Sequence, residues 1–342
     1  MSGSSSICSR ENLAIRLRLL TARDLPFADA VRAAAGWNQT PDDWRRFLAL
    51  EPEGCFLAEW EGKPAGTATT LIHGPELAWI GMVLVHPDCR RRGIGQALLR
   101  HCVEHLRQRR VGCLKLDATP LGQPVYERLG FRSEWTLARW ERASAPAVAD
   151  APHEPPPEPR GLGVRQSSAA FGPAPSETKR QRTAALSRRG GTVACGCAPR
   201  RFMAGEQVRK EWEALDAAAF GIARTRLWNA LERQGSTVRS VEAADGRLAG
   251  LGMSRPGSRA RYLGPVVAAS PVAGLALIEA LLADHRGEPV FWDIPDPNTA
   301  AVAWAESDGF QRQRGLTRMF LGDNRTPGDP RMQFALAGPE VG

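Results

Sequence analysis

The stretch Ile80 to Arg100 (IGMVLVHPDCRRRGIGQALLR) holds the residues best suited to chemistry. An apolar run enters a turn carrying Arg90-x-x-Gly93-x-Gly95, and an amphipathic segment follows at once. Glycines let the backbone approach a ligand closely and point successive N–H groups at an anion. A helix starting there adds the partial positive charge of its N-terminus. Arg90, Arg91 and Arg92 add full charges. The pattern suits a phosphate-bearing ligand; the plainer alternative is a solvated Arg-rich turn ended by a glycine cap. It is no dinucleotide fingerprint, because Leu98 stands where a third glycine would be needed. It is no Walker A loop, because the Lys followed by Ser or Thr is missing.

The elements that must position this loop follow from hydrophobic period. Ala14 to Leu20 alternates like a strand, and Thr21 to Gly36 and Pro41 to Leu50 read as helices, with Thr40 as N-cap before Pro41. Cys55 to Trp60 and Ala65 to Ile72 flank a Glu61-Gly62 turn as a hairpin. Ala78 to Val85 is a central strand, Gly95 to Arg109 a helix, Cys113 to Asp117 a strand, Pro124 to Leu129 a short helix and Ser133 to Trp140 a last strand. The expected fold class is α/β (α+β), a mixed twisted sheet flanked by helices. The second half repeats the first faintly. Glu61 to Gly66 matches Asp245 to Gly250, Trp79-Ile80-Gly81 matches Tyr262-Leu263-Gly264, and Leu137-Ala138-Arg139 matches Leu316-Thr317-Arg318. Matches in one order at offsets of 184, 183 and 179 residues indicate two copies of one fold.

VLVHPDCRRRGIGQALL resembles the acetyl-CoA signature of the GNAT superfamily of N-acetyltransferases, and Tyr126-Glu127-Arg128-Leu129-Gly130-Phe131 resembles its Tyr-x-x-x-Gly-Phe segment. The second half is similar to a degenerate partner domain found in a two-domain subgroup. The resemblance implies acetyl transfer from acetyl-CoA, the acyl-donor co-substrate, to a primary amine on a small molecule or peptide, by direct attack without an acyl-enzyme. By the same resemblance, the backbone of Met82, Val83, Leu84 and Val85 would bind the pantetheine arm. Backbone groups around Arg90, Arg91, Arg92, Gly93, Ile94, Gly95 and Gln96 would hold the pyrophosphate. Tyr126 would protonate the leaving thiolate. Trp37, Asn38 and Gln39, between the first two helices, would line the acceptor site.

The strand Ala78 to Val83 lacks the glutamate that many members use as general base. Asp117 is the first candidate to replace it, with Glu76 and His73 as others. Thr119 replaces the Asn that often opens the tyrosine helix. In the second half Ala305 stands where the tyrosine would be, and the loop around Ala268 to Glu279 lacks the Arg-x-x-Gly-x-Gly pattern. That copy is expected to shape the acceptor site, pack structurally or bind a regulator. A non-catalytic acyl-CoA-binding sensor is the rival to the enzyme.

Composition sets the frame. The 342 residues are 43% hydrophobic and 24% charged, with net charge +8. Nine Arg/Lys and nine prolines fall between Ser144 and Arg201, against four acids. The charge excess therefore lies in a Pro-rich stretch too polar to fold, not in a basic domain built to grip nucleic acid. The expected organisation is a disordered N-terminus (1–12), a catalytic domain (13–142), a disordered linker (143–203), a degenerate GNAT-like domain (204–325) and a tail (326–342). Seven cysteines make no disulfide scaffold, and Cys195 and Cys197 make a weak metal signal, so no metal is expected. No run reaches the roughly 20 apolar residues of a membrane span, and no signal-peptide core is present, so a cytoplasmic location is expected.

Overall fold

The first-half pattern of short apolar runs and amphipathic stretches becomes six strands and four helices in the computed structural model. It describes residues 15–144, 200–201 and 206–342. The first twelve residues, most of the 143–203 segment and the Cys195–Cys197 pair lie outside them. The first half runs β1 (Ile15–Leu19), α1 (Leu25–Ala34), α2 (Pro41–Leu50), β2 (Cys55–Trp60), β3 (Lys63–Gly74), β4 (Leu77–Val85), α3 (Ile94–Gln108), β5 (Cys113–Ala118), α4 (Gln123–Glu127) and β6 (Arg132–Arg142). The second half runs β7 (Arg200–Arg201), α5 (Glu206–Phe220), α6 (Thr225–Arg233), β8 (Thr237–Glu242), β9 (Leu248–Arg255), β10 (Arg261–Ala268), α7 (Pro271–Ala283), β11 (Val290–Pro295), α8 (Thr299–Ser307), β12 (Gln311–Gly322) and β13 (Gln333–Ala335). Thr40 opens α2 as its N-cap. Its N–H and hydroxyl both reach Asp43 Oδ2, at 2.6 and 3.0 Å, and Pro41 follows.

The two copies exchange their last strands. The sheet order is β1-β2-β3-β4-β5-β12-β6-β11-β10-β9-β8-β7, with β13 paired to β10. β12 of the second half thus completes the first half's sheet beside β5, and β6 returns the exchange beside β11. At the centre β6 and β12 run antiparallel, and Leu137 pairs with its own counterpart Leu316. A pseudo-two-fold axis passes through that pair. Two buried ion pairs lock the exchange symmetrically. Arg318 on β12 forks onto Asp117 of β5, with both bonds 2.9 Å, and its guanidinium lies 4.5 Å from the Trp79 ring centroid. Arg139 on β6 forks onto Asp293 of β11 at 2.9 and 2.6 Å and lies 5.8 Å from Tyr262. The repeated Trp79/Tyr262 and Arg139/Arg318 positions are the two ends of these locks.

The hydrophobic core is also shared. α1 and α2 bury Val31, Trp44 and Phe47 in one cluster with Trp212, Phe220, Leu227 and Trp228 from α5 and α6. On the other face of the first half, α3 packs Leu98, Cys102 and Leu106 against β3 and β4. α7 and α8 cover the second half. Among the described residues no helix is long and apolar enough to cross a membrane.

Candidate active site

β4 and β5 run parallel through Leu77–Cys113, Ala78–Leu114 and Trp79–Lys115, and then their pairing ends. A bulge in β4 marks the divergence. Gly81 pairs with Thr69 and Leu84 with Thr67, so four β4 residues span what three span on β3. Met82 absorbs the bulge at φ +50°, and the Thr67 hydroxyl donates to its carbonyl at 2.9 Å. The β4 edge beyond Trp79 therefore has no β5 partner. Beside it lies a cavity of about 80 Å³. Trp37, Gln39, Met82, Val83, Asp117 and Tyr126 all line it. Each of these six is among the site candidates that the sequence supplies.

At the far end of β4 the loop turns into α3. Arg91 and Gly93 both adopt left-handed φ, +62° and +79°. Gly93 is the N-cap of α3 and offers no side chain to cap it. The N–H groups of the first turn thus have no acceptor within the helix, while Arg90, Arg91 and Arg92 stand exposed around them. This is a cradle for an anion, in line with the unpaired β4 edge.

The remaining candidates fall elsewhere. Asn38 turns away from the cavity. Its Oδ1 accepts from Arg259 N and Ala260 N at 2.9 and 3.0 Å, and its Nδ2 donates to Ala260 O, bracketing the second half. Leu84 and Val85 extend along β4 beyond the cavity lining. Glu76 is exposed at the opposite end of β4. His73 packs on Phe220 and faces Val341 O, and burial pushes its pKa down to about 3. Asp117 lines the cavity, but both of its oxygens are held by Arg318 and its side chain is fully buried. The Tyr126 hydroxyl makes no hydrogen bond among the described residues, and burial raises its pKa to about 12, so the phenol keeps its proton at neutral pH.

Three charged lining residues are not among the sequence's site candidates: Glu340, Arg314 and Arg139, the last marked only by the internal repeat. Glu340 comes from the segment assigned above to a tail. Its backbone lies on Gly81, where a Cβ would stand 2.2 Å from the Glu340 carbonyl oxygen, so only glycine fits. Trp79 Nε1 donates to Pro339 O at 3.0 Å, fixing the same segment. The Glu340 carboxylate accepts from Gln39 Nε2 at 2.8 Å and Arg255 Nη2 at 3.1 Å, and burial raises its pKa against the pull of Arg255.

The equivalent cleft of the second half is filled by the protein itself. β13 pairs with β10 where β10 and β11 part. Trp292 Nε1 donates to Phe334 O at 2.8 Å, and the Asn298 amide holds Arg331 O and Gln333 O. The N-terminus of α7 is closed too, since Ser270 Oγ accepts from Ala273 N at 3.3 Å.

Residues 213–335 match the model of an acetyltransferase (GNAT) domain, and residues 23–131 match that of the acetyltransferase (GNAT) family. Over 125 residues the chain is 32% identical to the [ribosomal protein bS18]-alanine N-acetyltransferase of Escherichia coli, covering 35% of this chain and 82% of that one. The chain belongs to the GNAT acetyltransferase family. Its two GNAT matches correspond to the two exchanged halves. It is also 25% identical over 224 residues to the uncharacterized N-acetyltransferase YitH of Bacillus subtilis, 66% of this chain and 62% of that one. Other curated relatives are spanned over 46% and 29% of their lengths. A crystal structure from Pyrococcus horikoshii superposes with a TM-score of 0.70, covering 96% of each chain at 20% identity, which extends the fold likeness over both halves.

Proposed function

We propose that the first half of this GNAT protein transfers an acetyl group from acetyl-CoA to a small primary amine, by direct attack in the cavity beside Met82. The observation that carries this reading is the alignment of three features: an uncapped, Arg-ringed helix N-terminus, an unpaired β4 edge with a bulge, and a free tyrosine hydroxyl at the cavity. The first suits a pyrophosphate. The second offers backbone groups to an extended arm, as an edge strand does. Backbone N–H groups at the bulge would polarise the thioester carbonyl as charge develops on its oxygen. The second half lacks both openings, which supports a single donor site.

The amine must lose a proton as it attacks. Of the two carboxylates at the cavity, Glu340 suits that role better than Asp117. Burial raises both carboxyls, but Arg318 occupies both Asp117 oxygens in a charged fork, so neither is open to an amine proton. Arg255 holds Glu340 Oε1, while Oε2 accepts, among the described residues, from the neutral amide of Gln39. In the breakdown step the amine nitrogen keeps the acetyl carbon, the C–S bond breaks, and Tyr126 hydrogen-bonds the departing sulfur and supplies its proton. Burial raises the phenol, and a thiolate leaving beside it in the same buried site would be a stronger base than in water.

The test is free-thiol release from acetyl-CoA over a panel of primary amines, with Tyr126→Phe alongside. The expected result is release above hydrolysis with some amines, and a kcat lower by roughly 10²-fold in the variant with acetyl-CoA affinity little changed. Acetyl-CoA binding without release on any amine would make the protein a binding module instead. Equal kcat in the variant would remove Tyr126 as the acid.

A further inference from the structure

The charges around the cavity are paired, with one exception. Asp117 faces Arg318, Asp293 faces Arg139, Asp43 faces Arg46, and Glu340 faces Arg255. Arg314 also lines the cavity, yet its side chain makes no ion pair and no hydrogen bond among the described residues. Its Nε is buried without a partner. Burial and the neighbouring Arg139 hold its pKa below the ordinary arginine value. Asp293 offsets this only in part, because its carboxylate is already forked by Arg139 and accepts from the Tyr262 hydroxyl. Gln39 lines the cavity as well, and its Oε1 is buried with no hydrogen-bond partner among the described residues. It is an acceptor and suits an N–H group. The cavity thus presents an unmatched cation and an unmatched acceptor, beside the Glu340 carboxylate.

We infer that Arg314 anchors an anionic group on the acceptor, so that the amine acetylated here is small and carries a carboxylate or phosphate. The inference rests on the acetyltransferase reading above and names the substrate class of that site. A guanidinium meets either anion through a two-pronged fork. The about 80 Å³ of the cavity is small against the roughly 300–1,000 Å³ of drug-sized ligand sites. That size suits an amino acid or an aminoalkyl phosphate. The amine would lie towards Gln39 and Glu340. Polyamines and aminoglycosides would bring further positive charge to Arg314. Because Arg314 sits on the exchanged strand β12, the second half would set acceptor choice for the first.

The test uses the full chain and matched pairs in the thiol-release assay: glycine and glycinamide, glutamate and its α-amide, phosphoethanolamine and ethanolamine, with putrescine added. The anionic member of a pair should be favoured in kcat/KM by about 10- to 100-fold, as a charged hydrogen-bonded pair supplies. The carboxylate and phosphate arms separate the two anions. In Arg314→Gln the ratio within the pair should fall towards one, mainly through the KM of the anionic member; Arg314→Lys should restore part of it. Thermal melts of both variants separate this from misfolding. Equal use of both members by the wild type, turnover confined to putrescine, or an unchanged ratio in a folded Arg314→Gln would overturn the inference and leave the acetyltransferase reading intact. No release from any amine, by protein that binds acetyl-CoA, would overturn that reading and this inference with it.

Discussion

Two carboxylates meet at the cavity, and their partners give them different work. Asp117 is half of a charged fork that ties β5 to the exchanged strand. Glu340 has one oxygen on a neutral amide. A base acts when ionised, so kcat/KM should rise with pH through the pKa of the acting carboxyl. Burial raises Glu340, which puts that limb above the ordinary glutamate value of about 4.3. Glu340→Gln should remove the limb and lower kcat/KM by roughly 10²-fold while the protein still melts cooperatively. Asp117→Asn should keep the limb but melt earlier, because Arg318 is left buried beside a neutral partner. A pH–rate series on both variants decides the matter; a limb lost only in Asp117→Asn would return the role to Asp117. Tyr126, Gln39 and Trp37 were legible through the family resemblance, Tyr126 by its motif and the other two by their place between α1 and α2. Glu340 and Arg314 were not. Each is brought to the cavity by strand or segment pairing from the distant half, and nothing near them in sequence signals that.

The Arg91–Gly93 loop and its counterpart differ at the element scale, and the difference bears on the proposed donor site. In the first half α3 begins at a left-handed glycine with no capping side chain. In the second half Ser270 satisfies α7, and β13 fills the gap beside β10. The missing Arg-x-x-Gly-x-Gly pattern hinted at the lost site, but the filling strand was invisible because QFA is too short to register as a strand. Gly93 and Arg91 together test the working loop. Arg91→Glu with Gly93→Asp reverses one charge, adds another and gives the helix a self-cap like Ser270. It also strains a left-handed position, at a cost of about 1–2 kcal/mol. Calorimetric titration with CoA should show affinity falling by at least roughly tenfold, while the circular dichroism of the folded chain is retained. Unchanged affinity in the folded double variant would remove the loop from the donor site.

The exchange of β6 and β12 makes the two halves one folding unit. The repeat was legible in the sequence; the exchange was not. β6 and β12 carry the same Leu-x-Arg pattern, and Asp117 and Asp293 wait at equivalent positions, so either pairing satisfies the pattern. What selects the exchange is the shared core. Trp44 and Phe47 of the first half pack in one cluster with Trp228 and Phe220 of the second. Inter-half bonds reinforce it, among them Arg32 Nη1 to Ser258 Oγ at 2.9 Å and Arg46 Nη1 to Gln234 Oε1. Without the second half, Asp117 loses Arg318, and an unpaired buried charge costs about 3–5 kcal/mol. The Trp44 face is uncovered as well. Residues 1–145 expressed alone should therefore be aggregation-prone or bind a hydrophobic dye without a cooperative melt. The same fragment co-expressed with residues 195–342 should co-purify as a single 1:1 species and melt in one transition, because the locks need no continuous chain between them. An isolated first half that is monomeric, melts cooperatively and binds acetyl-CoA would show that β6 can return to β5, with Arg139 taking the place of Arg318.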